Sequence, residues 1–178
     1  MLLTPEQALA MEVHGRVDSA VLAPLYVDAE GALHAVFTRR RDDLKRHPGE
    51  ISFPGGRQDP GETLIETALR EAHEEIGLPP DAVDVVGALE PTPTFVTNYA
   101  IYPFVGVIDH GFEWVKQEAE VAEVLEFALE DLVAGHSIKR LVRRGMAFKT
   151  DVYEVGPHMV WGATARILAD LIRRVEGG

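Results

Sequence analysis

The stretch from Thr63 to Pro80 constrains the fold most, because both ends of a helix and two chemically different faces are written in it. Thr63 with Glu66 has the form of a capping box. Gly77-Leu78-Pro79-Pro80 then supplies a left-handed C-terminal residue, an apolar contact and a stop. Between these limits Leu64, Ile65, Ala68, Leu69, Ala72 and Ile76 form an apolar stripe. Glu71, Glu74 and Glu75, spaced i, i+3 and i+4, form a second stripe centred about 120° around the same helix. Such a helix packs along one face and presents carboxylates along the other. Three acids this close repel one another unless something positive lies between them, and oxygen-only ligands suit a hard cation, Mg2+ or Mn2+, rather than zinc or copper. A solvated acidic face accounts for the same spacing.

Around this helix the chain reads as one continuous α/β domain over residues 1–178, with no repeat, linker or low-complexity tract. Thr4-Pro5-Glu6-Gln7 opens a short helix with its own capping box and an N-terminal proline. Segments 20–27 and 33–37 flank Asp28-Ala29-Glu30-Gly31 as two strands about a turn, with Pro24 pointing to a bulge or an edge position. Ile51-Ser52-Phe53-Pro54 is a short strand running into the glycine turn Gly55-Gly56. Further strands are expected at 83–89, 100–108, 121–127 and 148–153. In a final helix Ile167, Leu168, Leu171, Ile172 and Val175 share one face, leaving Arg166, Arg173 and Arg174 to water.

Net charge is -12, from 17 Lys and Arg against 29 Asp and Glu, so the long-range field repels nucleic acid and anionic membranes, and neither is expected as a partner. An absence of cysteine excludes disulfides and thiolate ligation, and the N-terminus carries no basic flank or cleavable apolar segment, which makes the cytoplasm the expected compartment. An anionic substrate must therefore meet local cations or a metal. Arg39, Arg40, Arg41, Lys45 and Arg46 gather five cations within eight residues, as a local anion site or as a solvated loop balancing Asp42 and Asp43.

The whole stretch 56–78 resembles the signature of the Nudix hydrolases: Gly56, Glu62 after five residues, Arg70-Glu71 after seven more, aliphatic Ala72, Glu74-Glu75, Gly77 and aliphatic Leu78. The resemblance implies the Nudix fold, an α/β (α+β) architecture with a mixed sheet sandwiched between helices, and hydrolysis of a nucleoside diphosphate linked to another group. It also implies that Glu71, Glu74 and Glu75 hold divalent metal, often with the backbone carbonyl of the residue matching Gly55. Arg70, four residues before Glu74, is expected to orient an acid or to pair with Glu62 as a bridge fixing loop to helix. Metal ions withdraw charge from phosphoryl oxygens and lower the pKa of bound water, and a carboxylate takes the water proton. Glu71 and Glu74 are candidates for that base, but ligation weakens a carboxylate as a base. Glu120 and Glu123 offer another source, at a point where the Nudix resemblance implies a further acid near the metals. Glu120 is favoured because the Glu120-Val121 pair is similar to that of the subfamily described next, and Glu123 reads equally as a solvent-facing strand residue.

A second resemblance narrows the substrate. Thr38, Arg40, Gly49 and Phe53-Pro54-Gly55-Gly56 match a motif of the coenzyme A pyrophosphatases, from which Val36-Phe37, Arg41 and Lys45 depart. Lys45 keeps the charge of the family's second arginine but loses its fork. Val160-Trp161-Gly162-Ala163-Thr164-Ala165, followed by Ile167, is similar to the same subfamily at the start of its last helix. These matches imply a small-molecule nucleotide substrate of the coenzyme A class, read through Thr38, Arg40, Lys45 and Arg46. ADP-ribose, a dinucleotide or a nucleoside triphosphate is the alternative substrate, and a non-catalytic module binding nucleotide is the alternative class. Tyr99, Tyr102 and Phe104 are available to stack on adenine or to pack in the core, and His47 and His73 are read as surface residues. Lys139, Arg140, Arg143, Arg144 and Lys149 make a second cationic region with the character of a solvated hairpin. Both a monomer and a homodimer remain open.

Overall fold

The computed structural model describes residues 1–45, 47–94, 98–143 and 145–177, with the backbone alone at Arg143. Thr4 caps α1 (Pro5–Leu9) with the expected capping box, and Ala8 is buried beneath it. β1 (Val17–Val27) and β2 (Leu33–Arg40) pair antiparallel about the Asp28 turn. β3 (Ile51–Ser52) lies along β2, and β4 (Gly55–Arg57), which the sequence presents only as a glycine turn, pairs with β1. α2 (Leu64–Ile76) is the acidic helix, closed by Thr63 at one end and by Gly77, at φ 73°, at the other. A 3-10 turn at Pro80–Ala82 leads to β5 (Asp84–Ala88), β6 (Thr92–Pro93), β7 (Tyr99–Val107) and β8 (Val121–Ala128).

Among the described residues these strands form one mixed sheet in the order β3-β2-β1-β7-β5, with β4 on β1, β6 on β7 and β8 on β2. Only β1 against β7 is parallel. After α3 (Leu129–Ala134), β9 (His136–Arg143), β10 (Met146–Val155) and β11 (His158–Trp161) make a second, antiparallel sheet, and α4 (Gly162–Glu176) ends the fold. No helix among the described residues is long and apolar enough to cross a membrane.

Alternation along the strands sorts the core into two layers. Ala20, Leu22 and Val36 meet Ala68, Ala72 and Ile76 of α2 on one face. Ala23, Leu25, Ala35 and Phe37 meet Leu168 and Leu171 of α4 on the other. The mixed sheet is thus sandwiched between helices, as the Nudix resemblance implies.

Three expectations are corrected. Pro24 lies neither at an edge nor at a bulge but in the central strand β1, in register with Gly106 of β7. Leu22 donates its N–H to Pro54 O away from β7, and by alternation Pro24 shares that side, where β1 passes from β4 to β2 and no ladder bond needs its missing N–H. Val175 is 41% exposed rather than part of the buried face of α4. Arg166 and Arg174 are not left to water: Arg166 is half-buried and donates to Pro93 O, and the Arg174 side chain is only 12% exposed. Both α4 and the 90–93 segment gain from this, because Asp170 gathers Arg173, Arg174 (2.8 Å) and the Glu90 N–H (2.9 Å).

Asp170→Ala would leave Arg174 and the Glu90 N–H without their acceptor in a half-dry place, so a loss of about 3 kcal/mol in denaturant unfolding is expected. An unchanged unfolding midpoint would show that the Asp170 network carries no stability.

Candidate active site

The acids of α2 reach the surface along one side because the opposite stripe, Ala68, Ala72 and Ile76, is committed to the sheet. Glu71 and Glu75 are half-buried and Glu74 is exposed. Close approach explains the glycines that face them. A Cβ on Gly56 would stand 2.5 Å from the Glu71 carboxyl carbon, and one on Gly55 would stand 2.3 Å from Ala20 O, so β4 lies tight between the helix and β1 only without side chains.

Arg70 organises one end of the acidic stripe. Its Nε and Nη2 donate to Glu62 at 2.6 and 3.2 Å, while Nη1 donates to Glu71 at 2.8 Å and to Glu74 at 3.4 Å. Nη2 also donates to Arg57 O, which ties the loop before α2 to the helix. Both roles expected of Arg70 coexist in one guanidinium, whose planar fork serves several carboxylates at once. The Arg70 bonds, helped by Thr67 and the Asp59 N–H, hold the Glu62 carboxyl down to about 2.

The other end is assembled across the fold. Carbonyls in the last turn of α2 are met by a following segment: Val115 N–H donates to Ile76 O and Gln117 N–H to Glu75 O at 2.9 Å. That segment ends in a turn where the Glu120 N–H donates to Gln117 O, and the Glu120 carbonyl accepts from Arg41 N–H at the end of β2. Glu120 is thereby carried next to Arg40, whose Nη1 donates to its carboxylate at 3.3 Å. Glu75 Oε2 accepts the Gly55 N–H at 3.1 Å. Burial pushes the Glu75 carboxyl up to about 8, the charges of Glu71 and Glu120 act in the same direction, and the Gly55 N–H and Arg40 oppose them. Burial likewise raises Glu71, against the Arg70 hydrogen bond.

The expected basic loop divides. Arg40 faces the acids, whereas Arg39 chelates both oxygens of Asp42 at 2.8 and 2.7 Å, and Arg41 binds Asp43 and Glu118 O. Balancing by Asp42 and Asp43 therefore describes Arg39 and Arg41. Lys45 is exposed, and Arg46 lies outside the described residues, as does Arg144 of the second cationic region. Thr38 is buried in β2 with its hydroxyl donating to Ser52 O at 3.3 Å, an arrangement that serves the β2–β3 pairing. Phe104 is core, while Tyr99 and Tyr102 are half-buried. In the hairpin, Lys139 pairs with Glu154, and Arg140 lies opposite Lys149. An open groove of about 460 Å3, lined by Arg39, Asp42, Pro48, Glu50, Met159 and Trp161, lies on the α4 side and includes none of the α2 acids.

Chemically, the acid cluster suits a divalent cation. It is all oxygen and partly desolvated, and burial, helped by neighbouring acids, raises the proton affinity of Glu71 and Glu75. The carboxylates are engaged by Arg70 at Glu71, by the Gly55 N–H at Glu75 and by Arg40 at Glu120.

Residues 17–145 match the NUDIX domain family, and the chain belongs to it. It is 35% identical over 178 residues to the "Uncharacterized Nudix hydrolase NudL" of Enterobacter sp. (strain 638), covering 98% of this chain and 90% of that one. The protein of the same description from Photorhabdus laumondii is 35% identical over 161 residues, covering 89% and 84%. Among solved structures, the MutT/nudix family protein from Enterococcus faecalis superposes with a TM-score of 0.61 at 15% identity, over 96% of this chain and 66% of that one. A C. elegans Ap4A hydrolase complex gives 0.55 at 17% identity, over 65% and 83%. Divalent metal ions are the usual cofactors of the family.

The Glu62 carboxylate stays ionised in the fold far below the value of 4.5 at which it takes a proton when unfolded. Its contribution is present above that value and is lost as pH falls towards about 2. Glu62→Gln should therefore lower the Tm at pH 6 and lose its deficit to wild type as the pH approaches 2. A deficit that is constant with pH would detach Glu62 from this linkage.

Proposed function

We propose that this Nudix hydrolase cleaves the pyrophosphate of coenzyme A or its derivatives, aided by Mg2+ or Mn2+, to 4′-phosphopantetheine and adenosine 3′,5′-bisphosphate. Residues 1–178 act in this reading as one domain, in the cytoplasm. The observation that carries it is the meeting of two sequence motifs at one place: Arg40, from the motif resembling the coenzyme A pyrophosphatases, lies 3.3 Å from Glu120 and within the field of Glu75 on the Nudix helix. Matches to the NudL proteins reach beyond residue 145, into the part that carries Trp161-Gly162-Ala163-Thr164.

Glu71, Glu74 and Glu75, with the Gly55 carbonyl, would hold the cation. When bound, it withdraws charge from the phosphoryl oxygens and makes water more acidic. Arg70 holds Glu71 and Glu74 at one end of the cluster. Glu120 takes the proton of the attacking water, whose oxygen bonds to one phosphorus as the bridging oxygen leaves with the other phosphate. Its one side-chain partner among the described contacts is Arg40, which leaves the second carboxylate oxygen available as a base. Arg40 and Lys45 supply the cations that a 3′-phosphate needs in so acidic a protein. One observation favours the second reading, ADP-ribose, a dinucleotide or a nucleoside triphosphate: Arg39 and Arg41 already have carboxylate partners, which thins the anion site.

Product analysis on coenzyme A, its dephospho form and ADP-ribose decides between them. Coenzyme A should be the best substrate and its dephospho form poorer, with full loss of activity in excess chelator. Preference for ADP-ribose would reject the coenzyme A assignment. Separately, Glu74→Gln should reduce turnover by roughly a hundredfold. Glu120→Gln should lose turnover while keeping metal affinity, and an unchanged rate would return the base role to Glu71 or Glu74.

A further inference from the structure

Arg40 and Arg70 are both guanidiniums beside the acids of α2, yet they are held very differently. Arg70 has a full set of partners, two of them on Glu62 alone. Arg40 makes one side-chain hydrogen bond among the described contacts, a long one of 3.3 Å to Glu120, and its buried Nε has no hydrogen-bond partner. Its backbone, by contrast, is pinned. The Arg40 N–H donates to Glu50 O and the Arg41 N–H to Glu120 O, at a point where the β2–β8 register shifts between Arg39 and Arg40. The root is fixed and the head group is held mainly by charge.

Resting on the proposal that the α2 acids hold a divalent metal, we infer that Arg40 is the built-in counter-ion of that site: it pairs with Glu120 at the edge of the acid cluster, and its charge opposes a cation arriving at the α2 acids. The direction of the Arg40 effect on Glu75, opposite to that of Glu71 and Glu120, agrees with this placement. A divalent ion brought to the α2 acids would enter the field of this guanidinium, and the two cations repel unless the arginine swings out. A head group with a single long contact can swing; one bound like Arg70 cannot without breaking several charge-assisted bonds. The side chains of Arg40 and Glu120 are 28% and 48% exposed, so the released guanidinium has solvent, or a substrate phosphate, to turn towards. Arg40 thus sets metal affinity as well as meeting substrate.

The test reads metal binding rather than turnover. Mn2+ titrations by calorimetry, with Tm measured in chelator and in saturating Mn2+, are made on wild type, Arg40→Gln and Arg40→Lys. Removal of the charge should tighten Mn2+ binding by roughly tenfold, the scale of one partly screened charge pair at short range. Arg40→Gln should also lower the Tm in chelator and recover towards wild type when Mn2+ saturates. Arg40→Lys, which keeps the charge, should bind Mn2+ as wild type does. Unchanged or weaker Mn2+ affinity in Arg40→Gln would overturn the inference. If that variant does not fold, Arg40→Met, which preserves the packing of the stem, carries the same comparison. Absence of Mn2+ binding by wild type, or wild-type affinity in Glu75→Gln, would instead remove the metal site on which the inference rests.

Discussion

Glu71 and Glu75 stand one turn apart on the side of α2 that the sheet half covers, and each carboxylate needs positive charge or donors there to remain ionised. Much of the neighbouring architecture answers that requirement. β4 runs without side chains at Gly55 and Gly56, which brings a backbone N–H to Glu75 and leaves room for the Glu71 carboxylate. Arg70 rises from the helix itself to meet Glu62 and Glu71, and the chain before α2 is fastened by the same guanidinium through Arg57 O. Arg40 arrives from β2. Even so, the Glu75 carboxyl remains pushed up to about 8 by burial and by its acidic neighbours.

The same helix supplies the scaffold for the acid that does not belong to it. Carbonyls at the C-terminal end of α2 accept from Val115 and Gln117, satisfying groups that a helix end leaves unpaired, and the chain runs on from there to Glu120. Position follows from a helix-ending interaction. The β2–β8 pairing then brings Arg40 level with Val121, so the guanidinium and Glu120 meet across two strands that are 80 residues apart in sequence.

Legibility in the sequence follows the range of the interactions. α1 and α2 could be read because their signals are local: a cap, an acid or amide three residues on, apolar positions at helical spacing, and for α2 a left-handed glycine. Pairing of Glu62 with Arg70 was also open to reading, since a helix turn and a short loop bring them together. α3 was not, because it is six residues long and Ala128 gives it no side-chain cap. Pro24 misled because its meaning depends on which neighbour lies on which side of β1, a fact fixed by β4, β2 and β7 together. Arg174 and Asp170 lie at helical spacing, but the distant Glu90 and Met1 that also receive Arg174, and the exposure of Val175, are not written in the helix.

Arg39, Arg40 and Arg41 look like one cationic run, and the strand makes three different environments of it. Alternation on β2 sends Arg40 to the face shared by Val36 and α2, and Arg39 to the face shared by Phe37 and α4. On that second face Arg39 closes on Asp42 at the rim of the groove that includes Trp161. Arg41, beyond the strand, turns back on Asp43. Counting charges along the sequence therefore overstates the positive field at the acids, where Arg40 is the member of this run that faces them. On the proposed reading, substrate selection rests on that one guanidinium and on what the exposed Lys45 adds to it, and the proximity of Arg40 to Glu120 then couples phosphate recognition to the acid cluster through charge.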